Sequence, residues 1–357
     1  MIEDAIRPSG AIVKLSELSA EEKVRYSRQL VLKHIGEQGQ LRLKKARVAV
    51  AGVGGLGGHI ALSLAGIGIG SITIVDNDIV DLSNIHRQTN FRHNEVGKPK
   101  VEAIEERIKE VNPDTVVNSS TQTINEDTAT QLLRNVDAVV DGLDSLVPRV
   151  AVNRASILNR IPYVYAGVLE TYGNLSTFVP GRTGCLECNL ASLIGQPALT
   201  CETVGVLPSA VTLVASLEVN EVVNLIVHGR GLLENKLCII DLSQPSMDTI
   251  PFYKNEKCPS CALTMGTTRR GVSVVEVCGK NKYMATPQRL LDINIEGVAQ
   301  TIPKKYKVRL ITKNSISFDY SPDVKVTLMK TGNMLLIGPK DKEDALRIHQ
   351  EIYRIIS

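Results

Sequence analysis

No stretch of this 357-residue sequence is apolar for long enough to cross a membrane uninterrupted. The longest apolar run, 205–227, is broken by Glu218, Asn220, Glu221 and Asn224, and reads as a buried helix. The apolar core of a secretory signal is missing too. The first ten residues carry Glu3, Asp4 and Arg7, so a cytoplasmic protein is expected. Charge of one dominant sign is absent: the net charge is +3, which argues against a coat for nucleic acid or for a membrane surface. Internal repeats and low-complexity tracts are also lacking, which excludes solenoid architectures.

What is present suits a folded enzyme. Hydrophobic residues make up 43% of the chain and charged residues 22%, enough to bury a full core. The length allows one large catalytic domain and a small appended one. The charge is unevenly spread. From Leu263 onward there are 16 Lys and Arg against 9 Asp and Glu, and before it 25 against 29. The last part is thus a distinct basic unit.

Three segments follow from the pattern: a loose leader at 1–18, a main domain at 19–262 and a small basic α+β domain at 263–357. Ser19-Ala20-Glu21-Glu22 is a capping box and predicts a helix running through Arg25-Tyr26-Ser27-Arg28-Gln29. Arg47 to Ala51 reads as a buried strand, Gly57 to Ala65 as a helix and Ile72 to Val75 as a second strand, which is a βαβ unit. Helices are then expected at 98–111, 126–135 and 148–159, alternating with strands at 115–119, 138–140 and 163–168. Such alternation with fully apolar strands implies a Rossmann-like, doubly wound, mostly parallel sheet. An irregular cysteine-bearing region follows, with a strand at 174–180, a long helix within 208–227 and a strand at 236–241. After a Thr-, Gly- and Arg-rich linker at 264–271, strands are expected at 273–277, 305–312, 325–329 and 334–337, and a final helix at 341–356.

Gly52-Val53-Gly54-Gly55-Leu56-Gly57 is a G-x-G-x-x-G loop between a strand and a helix. Its glycines let the backbone approach a phosphate, and the helix N-terminus adds free N–H groups. Asp76 lies 19 residues after Gly57 at the end of the second strand, where an acid accepts from ribose hydroxyls. This much fits NAD as well as ATP. Arg87 and Lys100 favour ATP, because cations stabilise charge on a triphosphate attacked at its α-phosphorus. Asp144, past the strand at 138–140, is placed to hold Mg²⁺.

Seven cysteines occur, four of them in two C-x-x-C pairs: Cys185 with Cys188, and Cys258 with Cys261. In a reducing compartment this pattern predicts one structural Zn²⁺ with four sulfur ligands. Cys201 lies in a polar stretch, Gln196 to Thr203, before the long helix. A thiol there is placed to capture an activated acyl group. Cys238, in an apolar strand, and Cys278 are expected to be structural.

The ordered motifs RYSRQ (25–29), GVGGLGG (52–58), VDNDIVDLSNIHRQ (75–88), VGKPK (96–100), GLDS (142–145), GCLEC (184–188), ALTC (198–201) and CPSC (258–261) carry a specific resemblance. Over residues 20–262 the chain resembles the E1-like superfamily of MoeB, ThiF and the archaeal, UbaA-like activating enzymes of ubiquitin-like proteins. The resemblance implies that Asp76 binds ribose and that the Gly52, Gly54, Gly55 and Gly57 loop takes phosphate. It implies that Asn84, Arg87 and Lys100 hold the triphosphate, and that Asp144 positions Mg²⁺. Asp78 and Ser83 fall in the same motif and join the nucleotide-site candidates. Arg28 matches an arginine that reaches into the partner subunit's site, which implies a homodimer. In the family a cysteine at the place of Cys201 forms a thioester or a persulfide-type link. MoeB and ThiF commonly carry Asn where this chain has Ser145; some eukaryotic E1-type enzymes have the Asp-Ser pair found here.

The expected function is ATP-dependent adenylation of the C-terminal carboxylate of a small β-grasp, ubiquitin-like protein ending in Gly-Gly, of the MoaD, ThiS or SAMP kind. A thioester or acyl-disulfide at Cys201 would follow. The expected cofactors are ATP, Mg²⁺ and Zn²⁺, and no nucleic-acid or membrane partner is expected. The alternatives are a tRNA-modifying E1-like dehydratase, an NAD-dependent oxidoreductase and a non-catalytic adaptor.

Overall fold

The computed structural model describes residues 4–6, 12–14, 17–190, 201–262, 273–276, 281–287, 291–303 and 305–356. Within the stretch read as a leader, β1 (Asp4–Ile6) and β2 (Ile12–Lys14) pair antiparallel. The capping box then forms with both bonds. Ser19 Oγ accepts from Glu22 N at 3.2 Å, and Glu22 Oε2 accepts from Ser19 N at 2.7 Å. It opens α1 (Ala20–Arg25), but the helix breaks at Tyr26 and restarts as α2 (Ser27–Leu30). The buried Tyr26 hydroxyl accepts from Asn112 Nδ2 at 2.9 Å, and this tertiary anchor turns the chain. Helix α3 (Gly36–Lys45), not foreseen from the sequence, leads into the sheet.

The main sheet has eight strands. Five are parallel: β3 (Arg47–Ala51), β4 (Ser71–Val75), β5 (Val116–Ser120), β6 (Ala138–Asp141) and β7 (Tyr163–Leu169). They are linked by α4 (Gly55–Ile67), α5 (Lys100–Val111), α6 (Ala129–Leu132) and α7 (Leu146–Asn159). Antiparallel β8 (Tyr172–Phe178), β9 (Lys236–Asp241) and β10 (Ser246–Pro251) extend one edge, giving the order β10-β9-β8-β7-β6-β3-β4-β5. Successive side chains of β3 enter opposite cores, as the pleat requires. Val48 and Val50 join the core with α4, α5 and the long α10 (Pro208–His228), while Ala49 and Ala51 join the core with α7. The sheet is therefore doubly wound. Helix α6 is shorter than the expected 126–135, because Asn125 Oδ1 accepts from the backbone of Asp127 and Thr128 and holds the preceding residues in a turn.

Among the described residues α10 alone is long and apolar enough to cross a membrane, and 56% of its most apolar window is buried in the protein. It packs against α3, α4, β7 and β8, so it is a core helix, as its charges predict. Before it lie α8 (Leu186–Leu190) and the single turn α9 (Cys201–Val204).

The C-terminal part is a six-stranded antiparallel sheet in the order β11-β12-β16-β15-β14-β13. Its strands are β11 (Ser273–Glu276), β12 (Lys282–Thr286), β13 (Lys307–Ile311), β14 (Ser315–Asp319), β15 (Lys325–Met329) and β16 (Met334–Ile337). Helices α11 (Ile295–Thr301) and α12 (Lys342–Ile356) cover one face through Ile295, Val298, Ile348 and Ile352. The other face carries Met284, Met329 and Leu335, which pack on Ile79 of the main domain. Strands β12 and β14 escape the sequence reading. In β14, serines alternate with Ile316 and Phe318, so only one of its faces is apolar.

Candidate nucleotide site and cysteine cluster

The glycine loop joins β3 to α4 at the carboxyl edge of the sheet. Gly52 has φ +84°, in the left-handed region that favours glycine. A Cβ on Gly57 would lie 1.8 Å from Gly52 O, and one on Gly142 would lie 2.2 Å from the same oxygen. The loop at 52–57 and the loop after β6 are thus packed backbone to backbone, and only glycine fits there. The first N–H groups of α4 lack intrahelical partners and face the same edge. Gln88 is buried beside Gly54, and its Oε1 has no hydrogen-bond partner.

Asp76 caps β4. Its Oδ2 accepts from Val53 N and its Oδ1 from Asp78 N, both at 2.8 Å, so it ties the glycine loop to the segment that follows β4. Burial pushes its carboxyl up from the ordinary value, with Lys100 opposing. Lys100, the first residue of α5, is buried and donates to Asp78 Oδ2 at 2.8 Å. Burial works against its charge, but Asp78, Asp76 and Asp144 outweigh it and hold the ammonium above its usual range. Asp78 has a second cation, Lys282 Nζ, at 2.9 Å from Oδ1. Burial opposes ionisation of Asp78, but the two lysines win, and its carboxyl sits well below the usual range. Ser83 and Asn84 form a short 3₁₀ turn capped by Asp81, and Arg87 Nη1 donates to Ser83 O at 3.1 Å.

Asp144 is exposed on the loop after β6 and makes no hydrogen bond or ion pair among the described residues. A buried network fixes that loop. Arg149 Nε donates to Asp141 Oδ2 at 3.1 Å, and Arg149 Nη2 donates to Leu143 O and Ala166 O at 2.6 and 2.7 Å. Tyr163 OH donates to Asp141, whose Oδ1 accepts from Leu143 N at 2.8 Å. Sequence reasoning missed Asp141, Arg149 and Tyr163, because each reads as an ordinary helix or strand residue.

The two C-x-x-C pairs meet. The four Sγ atoms lie within 4.8 Å of one another. The Cys185–Cys258, Cys185–Cys188 and Cys188–Cys261 separations are 3.7, 3.8 and 3.5 Å. A tetrahedral Zn²⁺ with bonds of about 2.3 Å spaces its sulfurs by about 3.8 Å, so the cluster fits zinc, and four ligands close the site. The two arms are also joined by middle residues of the motifs. Ser260 Oγ donates to Glu187 Oε2, and Asn153 Nδ2 and Arg154 Nε donate to the same oxygen at 3.1 Å. Glu187 and Ser260 were legible only as spacers between cysteines.

Of the remaining candidates, Arg28 is exposed on α2, apart from these contacts. Cys201 opens α9, but its side chain, residues 191–200 and Cys278 lie outside the described residues, as does the linker expected at 264–271. Cys238 is buried in β9, as expected for a core thiol.

Comparison with known proteins follows the same lines. The ThiF family model matches residues 26–260. Similar proteins include the sulfur carrier protein ThiS adenylyltransferase of Bacillus subtilis, 30% identical over 92% of this chain and 98% of that protein. The SAMP-activating enzyme E1 of Haloferax volcanii is 30% identical over 73% of this chain and 97% of its own length. The chain spans just over half the length of the MOCS3 adenylyltransferase and sulfurtransferase relatives from mosquitoes. Among solved structures, E. coli MccB with succinimide superposes with a TM-score of 0.60 at 25% identity, over 69% of this chain and 75% of that one. By sequence over two thirds of its length, and by fold, the chain belongs to the ThiF family.

Proposed function

We propose that this chain, an E1-like adenylyltransferase, uses ATP to activate the C-terminal carboxylate of a small ubiquitin-like sulfur-carrier protein ending in Gly-Gly. One observation carries the reading: three loops at the carboxyl edge of β3, β4 and β6 bring glycine backbone, Lys100 and Asp144 together around one edge of the sheet. A carboxylate is a poor electrophile because its leaving group would be oxide. Attack of its oxygen on the α-phosphorus of ATP forms the acyl-adenylate and releases pyrophosphate. No side chain need bond covalently to the substrate in that step. The helix α4 N-terminus, Arg87 and Lys100 balance the phosphate charge, and Asp76 accepts from the ribose. Asp144 offers exposed carboxylate oxygens, the donor type Mg²⁺ takes. Glycines at the end of the carrier present no side chain to clash in a narrow cleft.

The direct test is carrier-dependent ATP–pyrophosphate exchange. A small β-grasp protein with a Gly-Gly end should support exchange, and the same protein lacking its last glycine should not. Exchange with neither, under conditions where the enzyme is folded, removes the proposed substrate class.

Cys201 is assigned the following step: its thiolate attacks the acyl carbonyl, forming a thioester and releasing AMP. An acyl-disulfide would form there by the same attack once a persulfide donor had placed a second sulfur on Cys201. Cys201→Ser should leave exchange within about twofold of wild type, since the adenylation groups lie elsewhere, while removing any reductant-sensitive enzyme–carrier adduct. An undiminished adduct on non-reducing gels would place the nucleophile at another cysteine. A second copy of the chain is the proposed partner at α1 and α2, where Val24, Val31 and Leu32 are exposed beside Arg28.

A further inference from the structure

We propose that Lys282, on the C-terminal sheet, is a positioning residue for the nucleotide site and acts on Lys100 through Asp78. The inference rests on the nucleotide reading above and gives the C-terminal part a role in it. Lys282 is the first residue of β12, with its side chain 12% exposed, and its ammonium lies 2.9 Å from Asp78 Oδ1. Lys100 holds the other oxygen at 2.8 Å. Asp78 is itself fixed to the site: its N–H donates to Asp76, and its carbonyl accepts from Lys100 N at 3.0 Å.

The sheet that carries Lys282 is firmly seated. Met284, Met329 and Leu335 pack on Ile79, the residue next to Asp78. Asn333 Nδ2 donates to Thr121 O at 2.8 Å, and Thr286 Oγ1 lies 3.0 Å from Thr123 Oγ1. Glu102, on the first turn of α5, accepts from Asn314 N at 2.7 Å and from Thr312 Oγ1 at 2.9 Å. The domain therefore grips both segments that bear the site, the loop after β4 and the start of α5.

The consequence is electrostatic. To serve a triphosphate, the Lys100 ammonium has to turn from Asp78 toward phosphate oxygens. A half-buried carboxylate stripped of its only counter-ion is strongly disfavoured, so a lone Asp78 would hold Lys100 back. With Lys282 in place, Asp78 keeps a cation while Lys100 engages the nucleotide. Lys282 thus frees Lys100 without itself touching ATP.

The experiment measures binding of Mg²⁺ with α,β-methylene-ATP to the full chain by calorimetry, with thermal melting to confirm folding. Lys282→Gln should weaken binding by about tenfold, and Lys282→Arg, which keeps the charge, by no more than about threefold. In an Asp78→Asn background, where the ion pair at Asp78 no longer restrains Lys100, Lys282→Gln should change affinity by less than about twofold. A docking role through the same ion pair would make Asp78→Asn itself weaken binding as much as Lys282→Gln does, whereas the positioning role leaves Asp78→Asn at wild-type affinity or tighter. Wild-type affinity in Lys282→Gln, equal weakening by Gln and Arg, or a tenfold loss that persists with Asp78→Asn would each overturn the assignment while leaving the nucleotide site standing. Failure of the wild-type chain to bind the analogue would remove the nucleotide reading itself, and this role with it.

Discussion

Asp144→Ala is expected to lower acyl-adenylate formation by about 10²–10³-fold, the size of losing one electrostatic group aimed at the reacting centre. The melting temperature should stay at the wild-type value. Both halves follow from the same geometry. Asp144 is exposed and bonds to nothing among the described residues, so its removal leaves no orphaned partner, and surface changes of this kind shift stability by about 0.5 kcal/mol or less. Its backbone is held independently, by Gly142 against Gly52 and by Arg149 on Leu143 O. The loop therefore keeps its place when the carboxylate is gone. Lys100→Met makes the contrast. It too should lower exchange by about 10²-fold or more, but it also leaves Asp78 with a single cation inside a packed interface, so its melting temperature should fall. Pyrophosphate exchange and thermal denaturation on the two variants separate the chemical role from the structural one. Undiminished exchange in Asp144→Ala would remove Asp144 from the mechanism.

These contrasts mark how far the sequence reached. The glycine loop was legible because its demand is local. Glycine spacing, the strand before and the helix after all lie within about twenty residues, and the structure shows the close contacts that exclude side chains at Gly52, Gly57 and Gly142. The central parallel strands β3, β6 and β7 were legible because strands buried on both faces are mostly apolar. Strand β5, with Asn118, Ser119 and Ser120, was legible only from its place in the alternation with helices. Lys282 was not legible. It meets Asp78 across 204 residues of sequence, and in the sequence it is one more charge in a basic tail. Strand β14 was missed for a related reason. Its Ser315 lies where Thr312 and Asn314 meet Glu102 of α5, so one face is polar although it is buried by the other domain. The capping box predicted where α1 starts. Its end at Arg25 was set by Tyr26 and Asn112, whose contact no local pattern encodes. Interfaces between domains and buried polar networks are thus where local reading stops.

Cys258→Ser is expected to cost the protein its zinc and much of its stability. The four cysteines come from two segments, one just after β8 and one just after β10, with Cys185 and Cys258 73 positions apart. The cluster closes that long loop, and it is part of the core beneath α7: Cys185, Cys188 and Cys258 are buried with Phe178, Leu186 and Phe252. Zinc in four-sulfur or related sites supplies about 10–16 kcal/mol of binding free energy in small peptides. The net stability of a whole domain is only about 5–15 kcal/mol. Losing one ligand need forfeit only a fraction of the first figure to consume most of the second. Removal also leaves three thiols packed around an incomplete site, with Glu187 holding the arms through Ser260 and Arg154. Those polar contacts keep the arms near each other but do not replace four metal–sulfur bonds. At about 2–4 °C per kcal/mol for a domain of this size, a drop of 10 °C or more in melting temperature is expected. Metal content by mass spectrometry should fall from one Zn²⁺ per chain to well below one. A strong chelator acting on the wild-type protein should reproduce the shift, and added Zn²⁺ should reverse it. Stoichiometric zinc and an unchanged melting temperature in Cys258→Ser would show that the four sulfurs meet without holding a metal, and that the Glu187 contacts alone join the two arms.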